Sequence, residues 1–351
     1  MLYPTGDGAF SPAVKSTTYY GTLVGTNGVE GTITLKMTKP NKKTGRFNLS
    51  ATVKTLVDKQ SYSFKAKKIT AADGIAADDG ALTFVLESSN KKSKTHELAV
   101  TLGGDSLTGA FDDCMIDGAR HVFSTRGDSK REAIKPFVGM WTGVFTGETG
   151  IVSFSAKLSK SGSARVKVYF ADGKTASCSA KTEVGADIVA VPVTLWRSVK
   201  GGKRSLGVRL VFGVDADGNA VCVAADLSPV RDWTKKTGEI AVVETPEFLA
   251  AGLQTVTAKE FKSYVVTVDP VLEEQFGPVE KSALKLTAST GLISGSLKWT
   301  VEYVDARGRE KTKTVTGKAT GIMVNGLGIG TVTVTLDGVK ESYSFTAAPA
   351  K

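Results

Sequence analysis

Apolar and polar side chains alternate through most of this chain, and a two-residue period is the pattern of a strand with one wet face. Ile33, Leu35 and Met37 alternate with Thr and Lys, and Phe47, Leu49, Ala51 and Val53 do the same, as do Tyr62 and Phe64. The pattern returns at Val152, Phe154, Ala156 and Leu158, at Val166, Val168 and Phe170, and at Leu206, Val208, Leu210 and Phe212. It closes with Leu297, Trp299, Val301 and Tyr303, then Val332, Val334 and Leu336. Successive strand side chains point to opposite faces, so each set forms one apolar face of a half-buried antiparallel sheet. Glycine corners cut the runs: Asn27-Gly28, Thr44-Gly45, Asp73-Gly74, Asp79-Gly80, Asp172-Gly173, Asp217-Gly218 and Asp337-Gly338. Gly or Asn at such places supplies the positive φ of a tight hairpin, so successive strands are expected to form meanders.

Helical signal is confined to one stretch, 240–280. Thr245-Pro246-Glu247 predicts a short helix through Ala251 with Thr245 as cap, and Asp269-Pro270 predicts another through Phe276, ended by Gly277.

An internal repeat sets the organisation. Gly21-Thr-Leu23-Val-Gly25-Thr-Asn-Gly28 matches Gly143-Val-Phe145-Thr-Gly147-Glu-Thr-Gly150, and a long strand follows each match, ending in Lys39 and Lys160. Thr44-Gly45 and Ser161-Gly162 then open further strands, and Tyr62-Ser-Phe64 parallels Ser177-Cys178-Ser-Ala180 in position. A shorter echo runs from Ser289-Thr290-Gly291 through Val315 to Lys318 and ends at Tyr343-Ser-Phe345. The expected fold class is all-β: tandem antiparallel meander barrels or sandwiches, about three modules. Barrels are preferred because closure removes exposed edges. The expected boundaries are an N-terminal extension at 1–15, module 1 at 16–125, a linker at 126–135, module 2 at 136–232, a connection with short helices at 233–279 and a shorter module 3 at 280–351. Module 3 looks incomplete, and a strand borrowed from elsewhere in the chain would complete it.

The strings YYGTLVGTNGVEGTITLKMTK, TGRFNLSATV, QSYSFKAK and FADGKTASCSAKT resemble a module family found in large exported proteins of Verrucomicrobia- and Lentisphaerae-type bacteria, and STGLISGSL resembles the terminal unit of the same proteins. The resemblance implies a β-rich fold and an extracellular or cell-surface location. It brings no activity and no functional residues with it. The chain departs from that family in its 240–280 connection and in showing no export signal at Met1-Leu2-Tyr3-Pro4.

Charge and chemistry point to binding rather than catalysis. The net charge is +10, but it is dispersed in short basic runs beside turns, such as Lys65 to Lys68 and Lys200 to Arg204. Lysines at turns and strand edges keep sheets from pairing with other sheets, and that reading is favoured, with binding of an anionic ligand as the alternative; no nucleic-acid partner is expected. No apolar run of about 18 residues occurs, and no membrane insertion is expected. Cys114, Cys178 and Cys222 have no zinc-ligand spacing, and Cys178 and Cys222 are either buried thiols or one bridge. Neither a metal site nor a cofactor is expected.

Gly104-Asp105-Ser106-Leu107 spells an esterase-type tetrad, but that reaction needs an imidazole against the serine. Only His96 and His121 exist, neither in an Asp-x-x-His spacing, so the tetrad is read as a hairpin. Asp215-Ala-Asp217-Gly-Asn219 opens like a calcium loop but lacks the closing glutamate, and is also read as a hairpin. Arg126-Gly127-Asp128 matches an integrin-type tripeptide on three residues only. Catalytic residues are therefore expected to be absent.

Exposed aromatic rings on sugar-binding β modules stack on pyranose faces. Trp141 aligns with Tyr19-Tyr20, and Trp299 shares a face with Leu297 and Val301, so both are expected in the core. Trp196 ends an apolar strand. Trp233 lies in the polar segment Arg231-Asp-Trp-Thr-Lys-Lys236, which makes Trp233, Arg231 and Lys235 the ligand-binding candidates. The expected function is a non-catalytic secreted or cell-surface module with a structural or interaction role. The alternative is a carbohydrate-binding module of an exported polysaccharide-degrading system. Expected partners are polysaccharide or other surface proteins.

Overall fold

The computed structural model describes residue 10 and residues 16–56, 58, 60–90, 93–124, 129–147, 150–170, 174–184, 189–304, 307–336 and 338–350. Strand makes up 65% and helix 8%, so the chain is all-β as its period demands.

The first nine strands are β1 (Thr17–Gly25), β2 (Gly28–Met37), β3 (Phe47–Thr55), β4 (Ser61–Ile69), β5 (Ile75–Ala76), β6 (Leu82–Ser88), β7 (Leu98–Gly103), β8 (Ser106–Phe111) and β9 (Cys114–Arg120). They pair in the order β4-β3-β2-β1-β9-β8-β7-β6-β5, and β4 also pairs with β6 through Phe64↔Ser88 and Lys65↔Glu87. That last pairing closes eight strands into a barrel with no open edge. The alternating apolar residues fill its interior: Tyr19, Leu23, Ile33, Leu35, Met37, Val53, Phe64 and Leu102 are all buried. Gly28 (φ 88°), Gly45 (φ 68°), Gly80 (φ 78°) and Gly104 (φ 53°) take the positive φ that their turns need. Asp73-Gly74 does not make the expected hairpin corner. Asp73 instead accepts hydrogen bonds from Thr70 N and Oγ1 at 2.7 and 2.9 Å, closing a 3-10 turn over Ala71–Asp73, and Gly74 has an ordinary φ of −86°.

The next strands are β10 (Gly139–Gly147), β11 (Gly150–Leu158), β12 (Ser163–Tyr169), β13 (Thr175–Lys181), β14 (Glu183–Val184), β15 (Val189–Val199), β16 (Gly202–Val214), β17 (Ala220–Leu227), β18 (Val230–Thr234), β19 (Ile240–Glu244) and β20 (Glu247–Leu253). β10 to β13 repeat the meander of β1 to β4, in the sheet order β13-β12-β11-β10-β20. β14 to β19 form a second sheet, β14-β15-β16-β18-β19, with β17 also on β16. β20 is a correction. The expected helix through 245–251 is a strand, because its backbone is held at the end of a sheet and Gln254 N donates to Met140 O at 2.8 Å. Pro246 before a strand is as acceptable as Pro at a helix start.

The last strands are β21 (Tyr264–Val268), β22 (Lys281–Ser282), β23 (Lys285–Thr287), β24 (Leu292–Val304), β25 (Glu310–Val324), β26 (Leu327–Leu336) and β27 (Val339–Pro349). Between β21 and β22 the expected helix is present as α1 (Pro270–Phe276): the Asp269 side chain accepts from Val271 N at 3.0 Å, and Gly277 ends it with φ 77°. The sheet order is β21-β27-β26-β25-β24-β22, with β23 also on β24. β21, which precedes the expected module 3, pairs with β27 from Tyr264↔Pro349 to Val268↔Phe345.

By contacts the chain divides into two compact units. Unit 1 is Met1–Val138, Leu158–Val166 and Thr175–Phe248; unit 2 is Gly139–Lys157, Lys167–Lys174 and Leu249–Lys351. Residues of the second repeat therefore belong partly to each. Trp299, Leu297, Phe345, Val332 and Leu272 centre the core of unit 2.

Candidate functional site

The alternation that fills the first barrel leaves a polar row on its outside. Tyr20 on β1 faces Thr34 on β2, which faces Thr52 on β3, and the next rung out is Thr22, Thr32 and Lys54. Within unit 1 the side chains of Tyr20, Thr32, Thr34, Thr52 and Lys54 meet Ser163, Cys178, Ser179 and Lys181 of β12 and β13, with Pro192 and Thr194 of β15, across a cleft of about 240 Å³. Lys181 Nζ donates to Ser163 Oγ at 2.6 Å, which fixes one ammonium at the rim. The wall is thus two lysines among hydroxyls, and the residues lining it include no carboxylate and no imidazole.

Burial pushes the Cys178 thiol up to about 11 and raises the Tyr20 hydroxyl. His121 lies perpendicular to the Tyr20 ring at 5.1 Å, and burial and then the Lys181 charge push its imidazole below its usual value. A protonated thiol is a poor nucleophile. The arrangement can hold an anionic, hydroxyl-rich ligand by charge-assisted hydrogen bonds.

Next to the cleft, unit 1 is pinned by buried charges. Arg209 of β16 donates from Nη2 to Glu183 Oε2 at 3.0 Å and from Nη1 to Asp117 Oδ2 at 2.9 Å, and Thr22 Oγ1 donates to Glu183 Oε1 at 3.2 Å. Arg231 Nη2 donates to Glu30 Oε1 at 2.7 Å. Glycine permits the close approach: a Cβ on Gly207 would come within 2.5 Å of Leu56 Cδ1 and 2.9 Å of Val29 O. Burial, reinforced by Asp117 and opposed by Arg209 and Thr22, pushes the Glu183 carboxyl up from 4.5 to about 7. A carboxyl whose folded value is raised binds its proton more tightly in the folded state. The stability it contributes is full below about pH 4.5 and is lost as pH rises towards about 7. Chemical denaturation at successive pH values is expected to show that fall, up to about 3 kcal/mol, and Glu183→Gln is expected to flatten it.

The residues singled out from sequence are not brought together. Arg231 is only 6% exposed and pairs with Glu30. Trp233 is half-buried in β18, opposite Lys203 and Ile240, and Lys235 is exposed. Asp232, which precedes Trp233, accepts both Arg204 Nε and Nη2, at 2.7 and 2.8 Å. The esterase-type tetrad is the β7–β8 hairpin. Ser106 Oγ donates to Gly103 O at 2.6 Å, and Asp105 pairs with Arg120 and Lys130. His96 Nδ1 sits 2.6 Å from Asp112 Oδ2. The Asp215 carboxylate accepts from Asp217 N and Asn219 N, closing the β16–β17 turn. Arg126, Gly127 and Asp128 lie outside the described residues. Cys114, Cys178 and Cys222 are not joined by disulfides. Among the described residues no three His, Cys, Asp or Glu side chains gather as metal ligands, and no helix is long and apolar enough to cross a membrane.

The cleft residues escaped the sequence reading. Their signal is the polar half of the alternation, Thr32, Thr34, Thr52 and Lys54, which looks like any solvated strand face until a second set of strands covers it. No protein-family model matches the chain, and no curated protein matches its sequence.

Proposed function

We infer that this protein is a non-catalytic interaction module whose unit 1 cleft takes an anionic saccharide. One observation carries the inference: Lys54 and Lys181 face a ring of hydroxyls from Tyr20, Thr32, Thr34, Thr52, Ser163 and Thr194, with no carboxylate among the lining residues. Hydroxyls answer the hydroxyls of a sugar, and two ammonium groups answer its carboxylate or sulfate. Acid–base chemistry on a glycosidic bond calls for a pair of carboxyl groups, and acyl transfer calls for an activated nucleophile. The lining offers neither. A secreted or cell-surface location is part of the same proposal and rests on the resemblance of the repeat strings to exported modules.

Calorimetric titration tests it. Trigalacturonate is expected to bind with a dissociation constant that rises with salt, and maltotriose at least ten-fold more weakly. Lys54→Gln/Lys181→Gln is expected to weaken trigalacturonate binding by at least ten-fold, each lost charged hydrogen bond being worth about 1.5–3 kcal/mol before solvent screening. Equal affinity in the double variant, or no heat with trigalacturonate or a sulfated trisaccharide, contradicts the inference.

A further inference from the structure

Unit 2 carries a surface that the cleft does not use. β24 and β25 pair without interruption from Leu292↔Ile322 to Val304↔Glu310, while the pairing of β25 with β26 stops at Lys318↔Thr333. Beyond Lys298, which still pairs with Lys281 of β22, the β24–β25 hairpin is a two-stranded ribbon, and 302–304 and 307–314 are exposed. The alternation sorts its side chains. Val301, Tyr303, Lys311 and Lys313 share the face that continues inward to Trp299 and Val315, whereas Glu302, Glu310, Thr312 and Thr314 share the other. Lys313 Nζ stands 5.7 Å from the centre of the Tyr303 ring, which remains 41% exposed. One face is therefore aromatic and basic, and the opposite face carries the acids.

We propose that this Tyr303–Lys311–Lys313 face is a second binding site, for an extended acidic polysaccharide lying along one side of the ribbon. The two lysines are two residues apart on one strand, about 7 Å, so they meet successive charges of an extended polyanion. The Tyr303 ring offers an apolar platform for a sugar face. Charge complementarity selects a chain contacted from one side only. A ribbon seated in a nucleic-acid groove has a phosphate wall on each side, and Glu302 and Glu310 would then be driven against one of them. The proposal shares the saccharide class of the cleft but none of its residues.

Affinity electrophoresis of the full chain in gels containing polygalacturonate separates the two sites. Tyr303→Ala/Lys311→Gln/Lys313→Gln is expected to lose at least half of the wild-type retardation while binding trigalacturonate as the wild type does by calorimetry. Lys54→Gln/Lys181→Gln is expected to retain the ribbon's share of the retardation. The three substituted side chains are outside the core, and an unchanged melting temperature verifies the fold. Retardation in the ribbon variant equal to wild type overturns the proposal. So does equal or greater retardation of the wild type by poly(dA), which would mark unselective polyanion binding. Failure of trigalacturonate to bind the wild type, with the ribbon effect intact, refutes the cleft and leaves the ribbon standing.

Discussion

Arg209→Met is expected to destabilise unit 1 by about 3–5 kcal/mol at pH 8, because it removes the guanidinium that pairs with two carboxylates at once. Arg209 and Glu183 are each 4% exposed, and Asp117 is 29% exposed, so Glu183 takes most of the penalty. An ionised carboxylate left in that position has lost its guanidinium and keeps one hydroxyl donor, Thr22. The effect is therefore expected to be smaller at pH 5, where Glu183, already pushed up to about 7, holds its proton. Adding Glu183→Leu to Arg209→Met is expected to recover a large part of the loss, since an apolar pair has no charge to desolvate. Differential scanning calorimetry reads these outcomes as a fall in the unit 1 transition of roughly 6–20 °C and its partial return. A single variant that melts with the wild type at pH 8 would show that the buried pair does not hold these strands together.

Trp299→Ala is expected to cost unit 2 about 3–5 kcal/mol, the range for removing a large buried aromatic. The indole is fully buried, packs against Phe276 with ring centres 5.9 Å apart, and is accommodated by a glycine. A Cβ on Gly317 would stand 3.1 Å from the indole Cζ3 and 2.5 Å from Val332 Cγ2, so the ring and the glycine are fitted to each other. Trp299→Phe is expected to cost less than half as much. Phenylalanine keeps the ring contact and removes the indole Nε1, a buried donor with no hydrogen-bond partner. Urea unfolding of the three proteins gives the order directly. Equal losses for Phe and Ala would contradict this account of the core.

Much of this architecture was legible because local chemistry and tertiary structure agree. Gly28, Gly45, Gly80 and Gly218 turn where glycine has to turn, Asp172-Gly173 lies outside the described residues, and Asp269-Pro270 caps a helix whose signal lies wholly within nine residues. Trp141 and Trp299 are buried because each stands in phase with an apolar face. Failures occur where distant chain decides. Residues 245–251 carry a helix start, but a free sheet edge provides more backbone hydrogen bonds than a two-turn helix. Asp73-Gly74 has the composition of a hairpin corner, yet the Thr70 donors capture the carboxylate and the Phe84 ring presses within 2.9 Å of where a Cβ would be. Arg231 looks solvated among polar neighbours until Glu30, two hundred residues earlier, closes on it.

The same distance between cause and effect hides the cleft. Tyr20, Thr34 and Thr52 form a rung on the outside of a barrel, and nothing local tells that rung from the wet face of any other sheet. It becomes concave only because β13 and β15 come to lie opposite. Alternation predicts which side chains leave the barrel, but not what they meet. Glycines such as Gly207, whose missing Cβ admits Val29 and Leu56, are the traces in the sequence of that meeting.

A crystal of the full chain soaked in trigalacturonate is the most direct test of the cleft. A saccharide carboxylate hydrogen-bonded to Lys54 or Lys181, with its hydroxyls on Thr34, Thr52 or Ser163, is the predicted outcome. An accessible but empty cleft in crystals where the ligand occupies another surface would contradict it.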